Sequence, residues 1–208
     1  MSFSLDEMTG IQALERRMPQ IPMKPGRCEK AEFEYIRHGT QTLIASFNIA
    51  SGQIAQADIG DSRTEKDLEA HVRGLLAKYP DAPKMHLVMD CLNTHQSESL
   101  VRIVTELEPE ALELGEKGQS GILKSMATRM TFLRNPVHRL VIHFPPKHCS
   151  WLNQIEIWFS ILVRKLLRRA SFTGKTDLKT RILEFIAYFN RTMAKPFKWT
   201  YKGKPLTA

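Results

Sequence analysis

Cysteine is scarce in this 208-residue chain: Cys28, Cys91 and Cys149 are odd in number and show no CxxC spacing. That argues against both a disulfide framework and a zinc ribbon. Cys91 with His95, and His148 with Cys149, supply the residue types of one four-ligand zinc site, although free Cys and His are more commonly just packed. Long apolar runs are missing as well. No segment approaches the ~20 residues of a membrane span, and the opening Met1 to Gly10 carries Asp6 and Glu7 where a signal peptide has a basic start and an apolar core. A cytoplasmic protein is expected. There is no internal repeat and no low-complexity tract. Acidic residues are outnumbered, 22 Asp and Glu against 30 Lys and Arg, for a formal net charge of +8. Such a balance favours a polyanionic partner, most commonly nucleic acid, although Lys and Arg also make ordinary solvated surface.

What is present suffices for one core. At 42% hydrophobic and 25% charged, the chain reads as a single globular domain with room for an insertion. Met1 to Leu5 is short, apolar and alternating, and reads as a strand that ends at Asp6. Gly10 to Arg27, with Pro19, Pro22, Pro25 and Gly26, reads as an extended loop. Strands are expected over Phe33 to Arg37, Gln41 to Ala50 and Gln53 to Ile59, the last two joined by a turn at Ser51-Gly52. Thr64 to Tyr79 has helical spacing, with Thr64 as cap and Asp67 in the first turn.

Met85 to Met89 is apolar without alternation, as in a buried central strand, and it delivers Asp90 to its carboxyl end. Cys91 to His95 reads as a loop and Gln96 to Leu107 as a helix. Glu108 to Pro136 reads as an insertion made of two helical pieces separated by Gly115, Gly118 and Gly121. A buried strand follows over His138 to Phe144. From Ser150, which can cap a helix, a continuous helical pattern runs to Ala170, its stripe formed by Leu152, Ile155, Phe159, Leu162 and Leu166. Glu156 sits beside that stripe with Asn153 and Ser160 on the same side, and Arg164, Lys165, Arg168 and Arg169 fill the last turns, where cations complement the helix dipole. Leu178 to Phe189 is one more amphipathic helix, and the tail 195–204 is basic with Phe197, Trp199 and Tyr201 interleaved.

Three strands, then alternating helices and strands, make an α/β fold: a mixed five-stranded sheet, three antiparallel strands plus two parallel, flanked by helices. Asp6 and Asp90 then emerge on neighbouring central strands, where open α/β sheets place their sites, and Glu156 can swing in from the helix after the last strand. Three converging carboxylates repel one another unless a cation holds them, and oxygen-only ligands suit Mg²⁺ or Mn²⁺. Two such ions can activate a water or a 3′-hydroxyl for in-line attack on phosphorus. Taken singly, each acid reads equally well as ordinary: Asp6 in a turn, Asp90 in a loop, Glu156 on a solvated helix face.

The pieces "LDEMTGIQALE" around Asp6, "HLVMDCLNTH" around Asp90 and "PPKHCSWLNQIEIWF" around Glu156 resemble those of the DDE transposases, in particular the bacterial insertion-sequence transposases related to mariner elements. The likeness extends to "EYIRHGT" and "FNRTMAKPFKWTYKGKPL". It implies a ribonuclease H-like fold, with Asp6, Asp90 and Glu156 as the catalytic and metal-binding triad for Mg²⁺ or Mn²⁺, two ions together. It also implies that Asn93, His95 and Asn153 order the site or touch DNA. Double-stranded DNA, as transposon ends and target, is the expected partner, the chain acting as a homodimer on that DNA at the bacterial nucleoid. Arg164, Lys165, Arg168, Arg169, Lys198, Lys202 and Lys204 are candidates for phosphate contacts, and Trp199 and Tyr201 for base stacking.

Two departures from the family pattern stand out. Asp90 and Glu156 are 66 residues apart, with residues 108–136 as the segment responsible. The helix-turn-helix region that normally precedes the first acid is not seen, so a catalytic domain spanning residues 1–208 is expected. The expected activity is metal-dependent DNA strand cleavage and strand transfer; the alternative is a catalytically silent DNA-binding or assembly module from a decayed element. A phosphohydrolase reading of Asp6-Glu7-Met8-Thr9 lacks its second acid.

Overall fold

The computed structural model describes residues 1–19, 21–30, 32–146 and 152–196. One five-stranded sheet organises them, in the order β3-β2-β1-β4-β5. Its strands are β1 (Ser2–Arg16), β2 (Tyr35–Asn48), β3 (Gln53–Gly60), β4 (Met85–Val88) and β5 (Leu140–His143). β1, β2 and β3 pair antiparallel, whereas β4 runs parallel to both β1 and β5. This is the mixed sheet expected from the order of elements. The helices are α1 (Glu65–Lys78), α2 (Glu98–Glu106), α3 (Met126–Leu133), α4 (Ile155–Leu162) and α5 (Lys175–Thr192). None of the described helices is long and apolar enough to cross a membrane.

The sheet separates two cores. On one face Phe3, Leu5, Met85, Leu87, Leu140 and Ile142 pack with α1, α2 and α3 through residues such as Leu68, Val72, Leu100, Val104 and Leu133. On the other, Ile11, Ala13, Leu43, Ala45 and Phe47 meet α4 and α5 through Ile155, Trp158, Phe159, Leu162, Ile182 and Phe189. β1 contributes to both because of its pleat: alternate side chains point to opposite faces. A register shift between Met8 and Ile11 then changes the phase, which brings odd-numbered Ile11 and Ala13 to the α4 side.

Several local expectations need correction. β1 does not end at Asp6 and residues 10–16 are not a loop, because β2 pairs along the whole length, from Phe3↔Asn48 to Arg16↔Tyr35. That ladder overrides the turn-forming residues around Gly10, which are absorbed as bulges. The two strands expected within 33–50 are for the same reason one continuous β2. The helix expected from Thr64 is capped as the sequence suggests: Thr64 and Asp67 form a reciprocal capping box.

Residues 108–136 are not two helices. Only Ile122–Lys124, a 3-10 turn, and α3 are helical there. Gly115 and Gly121 adopt φ of 76° and 64°, and a Cβ on Gly115 would lie 2.4 Å from the Ser120 carbonyl oxygen, so the first piece closes into a tight loop. Leu123 and Leu133 are fully buried in the first core.

The helix read as running from Ser150 to Ala170 is shorter. Ser150 lies outside the described residues, α4 starts at Ile155, and a π-helical turn over Val163–Leu167 follows it, with Arg168 N–H donating to the Val163 carbonyl at 2.9 Å. The anchor of α4 is Trp158, 1% exposed and edge-on to Phe159 and Phe189. Trp158→Ala should therefore cost about 3–5 kcal/mol in denaturant unfolding; a loss under about 1 kcal/mol would show that α4 is not held through this ring.

Candidate functional site

Parallel pairing of β1 with β4 sets the first relation. Its register ends at Ser4↔Val88, two residues before Asp6 on one strand and Asp90 on the other, and the two acids lie near enough for the charge of Asp90 to act on Asp6. β4 stops at Val88, so Asp90 does emerge at a carboxyl end. Asp6 does not: it lies inside β1, opposite Ala45 of β2.

Asn153 ties this strand to α4. Fully buried, it donates from Nδ2 to the Leu5 carbonyl and to Asp6 Oδ2, both at 3.0 Å, and its Oδ1 accepts from the Ser4 hydroxyl. Ser4 Oγ in turn accepts from Ile155 N–H, the first of α4, at 2.9 Å. A free donor at the helix start is thereby satisfied by the sheet itself. Asn153 thus precedes the helix and points into β1, whereas Glu156 and Ser160 are exposed; the three do not share one helix side.

Asp6 is 8% exposed, and its Oδ1 accepts from Glu7 N–H at 2.8 Å. Burial pushes its carboxyl up to about 6, opposed by that hydrogen bond and reinforced by the charge of Asp90. Asp90 is held below the ordinary carboxylate range, first by its hydrogen bond from His95 and also by Leu92 N–H and the charge of exposed Arg63, against its own burial.

His95 is enclosed between two acids. Nδ1 lies 2.6 Å from Asp90 Oδ1 and Nε2 lies 3.1 Å from Glu7 Oε1, with the His95 and Glu7 side chains 0% and 2% exposed. Nδ1 also meets the Asp90 backbone carbonyl at 3.1 Å, and since carbonyls and ionised carboxylates only accept, this setting favours a charged ring that donates from both nitrogens. Burial works against that charge, but the two hydrogen bonds win and push it up to about 10. Glu7 was not a candidate from sequence. Asn93 is exposed at the start of the 3-10 turn Thr94–Gln96 that carries His95.

Glu156, although exposed, is raised by partial desolvation against its surroundings and by the charge of Asp90. With Glu7, Met8, Thr9, Phe159, Ser160, Val163 and Arg164 it borders an open hollow of ≈ 560 Å³ between β1 and α4. Arg164 also borders a second hollow of ≈ 490 Å³ with Ile161, Lys165, Arg169 and Met193. Arg168 is exposed, its carbonyl accepting from Arg16. Lys198, Trp199, Tyr201, Lys202 and Lys204 lie outside the described residues.

Among the described residues no three His, Cys, Asp or Glu side chains converge closely enough to hold a metal ion. Asp6, Asp90 and Glu156 therefore do not form a closed set. The zinc arrangement fares worse: both nitrogens of His95 face carboxylates, Cys91 is exposed with its thiol 3.7 Å from the Pro145 carbonyl, and His148 and Cys149 lie outside the described residues.

A family model described as DDE superfamily endonuclease matches residues 3–179. The chain belongs to that family. A comparison with curated proteins gives no match. In structure, this DDE superfamily member is similar to the Mos1 strand transfer complex (10% identity, TM-score 0.56), the Mos1 transposase paired-end complex with left transposon end (12%, 0.54) and the Mos1 mariner paired end complex with Mn (11%, 0.53). Each match covers 89% of this chain and 47%, 47% and 48% of the other, so the chain spans about half the length of those proteins. The likeness establishes the ribonuclease H-like fold.

The elevated Asp6 carboxyl in this DDE domain has a measurable consequence. Because the folded value of about 6 exceeds the ordinary value of 3.8, the native state holds that proton more tightly, and this group removes up to about 3 kcal/mol of stability as pH rises from 4 to 6. Without divalent ions, the ¹³C carboxyl resonance of Asp6 should titrate near pH 6; a midpoint at 4 or below would contradict the burial argument.

Proposed function

We propose that this chain is the catalytic domain of a transposase that cuts and joins double-stranded DNA with Mg²⁺ or Mn²⁺, using Asp6, Asp90 and Glu156. What supports the reading is that burial, and the charge of Asp90 nearby, disfavour the charged form of Asp6. A divalent cation relieves that repulsion, and oxygen-only donors suit a hard ion. The donors are of the right chemical kind, and the three acids must draw closer to hold an ion. Asp90 Oδ1 is engaged by His95 and Leu92, and no hydrogen bond engages its Oδ2 among the described residues. The Glu156 carboxylate likewise accepts no hydrogen bond there. Asp6 and Asp90 would hold the ions, two together, and Glu156 would complete the set by approaching from α4. Such ions supply activation of a water or 3′-hydroxyl and stabilise charge on the leaving oxygen.

The chain's own side chains then bind and orient. Asn153 fixes Asp6 Oδ2 and the start of α4. Arg164, beside Glu156, receives the phosphate flanking the bond to be cut, and Lys165, Arg168 and Arg169 continue the backbone contacts outward, with Lys198, Lys202 and Lys204 as further candidates. Asn93, exposed before the turn that carries His95, is a candidate to order the site or to meet DNA. Assembly as a homodimer on paired DNA ends, at the bacterial nucleoid, belongs to the same reading.

The unclosed acid set favours one competing reading, a DNA-binding or assembly module without catalysis. Supercoiled plasmid separates the two. Nicking is expected with Mg²⁺ or Mn²⁺ and not with EDTA, and Asp90→Asn should lower it by at least about 10²-fold while metal-free DNA affinity stays within about twofold. Undiminished nicking by that variant would refute the assignment. Salt-sensitive binding without any metal-dependent product would instead establish the silent module.

A further inference from the structure

β1 splays two consecutive acids to opposite faces of the sheet. Asp6 points toward Asn153 and α4, whereas Glu7 shares the face of Phe3 and Leu5 and meets His95. His95 leaves β4 in the short 3-10 turn after Asp90 and folds back beneath it. The ring therefore bridges the two strands: one nitrogen on the strand that bears Asp6, the other on the acid that ends β4.

The geometry points to Glu7 and His95 as a buried positioning pair that sets the Asp90 carboxylate relative to Asp6 for metal binding, an inference that rests on the proposed Asp6–Asp90 metal site. Asp90 Oδ1 is held at 2.6 Å by a ring that cannot turn, because its far nitrogen is held at 3.1 Å by Glu7. That leaves Oδ2 as the oxygen offered to an ion. Since Glu7 is the covalent neighbour of Asp6, any shift of β1 carries Glu7, the ring and Asp90 with it, and the two metal-facing acids keep their separation. The His95 and Glu7 side chains are 0% and 2% exposed, so the pair acts through Asp90. An Asp placed at residue 7 would fall one methylene short of the ring. A Gln keeps the length and removes the charge.

The test uses the full chain and Mn²⁺ alone, with free ion followed by electron paramagnetic resonance and DNA affinity measured separately in EDTA. Glu7→Gln and His95→Gln should each weaken Mn²⁺ binding by about tenfold or more, and should raise by a similar factor the Mn²⁺ needed for half-maximal nicking, with metal-free DNA affinity within about twofold of wild type. The double variant should be no weaker than the worse single one, because the two side chains act as one device. Wild-type Mn²⁺ binding in a folded Glu7→Gln chain, or effects that simply multiply in the double variant, would overturn the pairing. If Glu7→Gln fails to fold, His95→Gln decides, and failure of both to fold would make the pair a determinant of the fold instead and overturn its positioning role. A wild-type chain that binds no Mn²⁺ sinks the metal-site reading and the pair's role together, whereas normal binding with unaffected variants sinks the pair alone.

Discussion

The parallel ladder between β1 and β4 is the constraint on which the rest depends. It is short, Ser2 to Ser4 against His86 to Val88, yet it decides which acid stands beside which. A slip by one residue would turn Asp6 or Asp90 to the opposite face. The ladder is secured from outside. β2 pairs with β1 along its whole length, and Phe3, Leu5, Met85 and Leu87, each fully buried, clamp the pair onto α1 and α2. Hydrophobic burial on one face thus holds the strands that carry the two carboxylates together against the acids' mutual repulsion.

Around those acids the protein has arranged different compensations. Asp90 is given His95, whose protonated form its two hydrogen bonds favour, and a backbone N–H. Asp6 receives only neutral donors, Asn153 and Glu7 N–H, and remains poorly accommodated as an anion. Two acids with opposite shifts are what the proposed cation site requires, local stability being given up for function. Asn153 also acts through Ser4 to fix where α4 begins, so the residue that supports the first acid sets the root of the helix carrying Glu156.

Much of this was legible in the sequence. The unalternated run Met85 to Met89 identifies a central strand and hence Asp90 at its end; Thr64 and Asp67 announce the cap of α1; the apolar stripe of α4 is the one that is buried. The errors share a cause, which is that tertiary pairing outweighed local signals. Gly10 and the prolines beyond it suggested a loop, but β2 supplies partners for β1 as far as Arg16. Spacing put Asn153 and Glu156 on one helix side, because nothing local reveals that Asn153 bonds to residues almost 150 positions earlier. Glu7 escaped for a related reason. Next to Asp6 it reads as a second turn acid, and only the fold shows it buried against a ring 88 positions away. The pattern of Gly115, Gly118 and Gly121 did carry a signal, a loop, which the helical reading of residues 108–136 underweighted.

The central claim is that Asp6 and Asp90 form one cation-binding centre that Glu156 joins. Anomalous diffraction from crystals grown with Mn²⁺ and a short DNA duplex examines it most directly. The account predicts Mn²⁺ peaks within about 2.0–2.3 Å of carboxylate oxygens of both Asp6 and Asp90, with α4 shifted so that Glu156 reaches the ions. Saturating Mn²⁺ that binds elsewhere, with Asp6 and Asp90 bare and Glu156 unmoved, would contradict it.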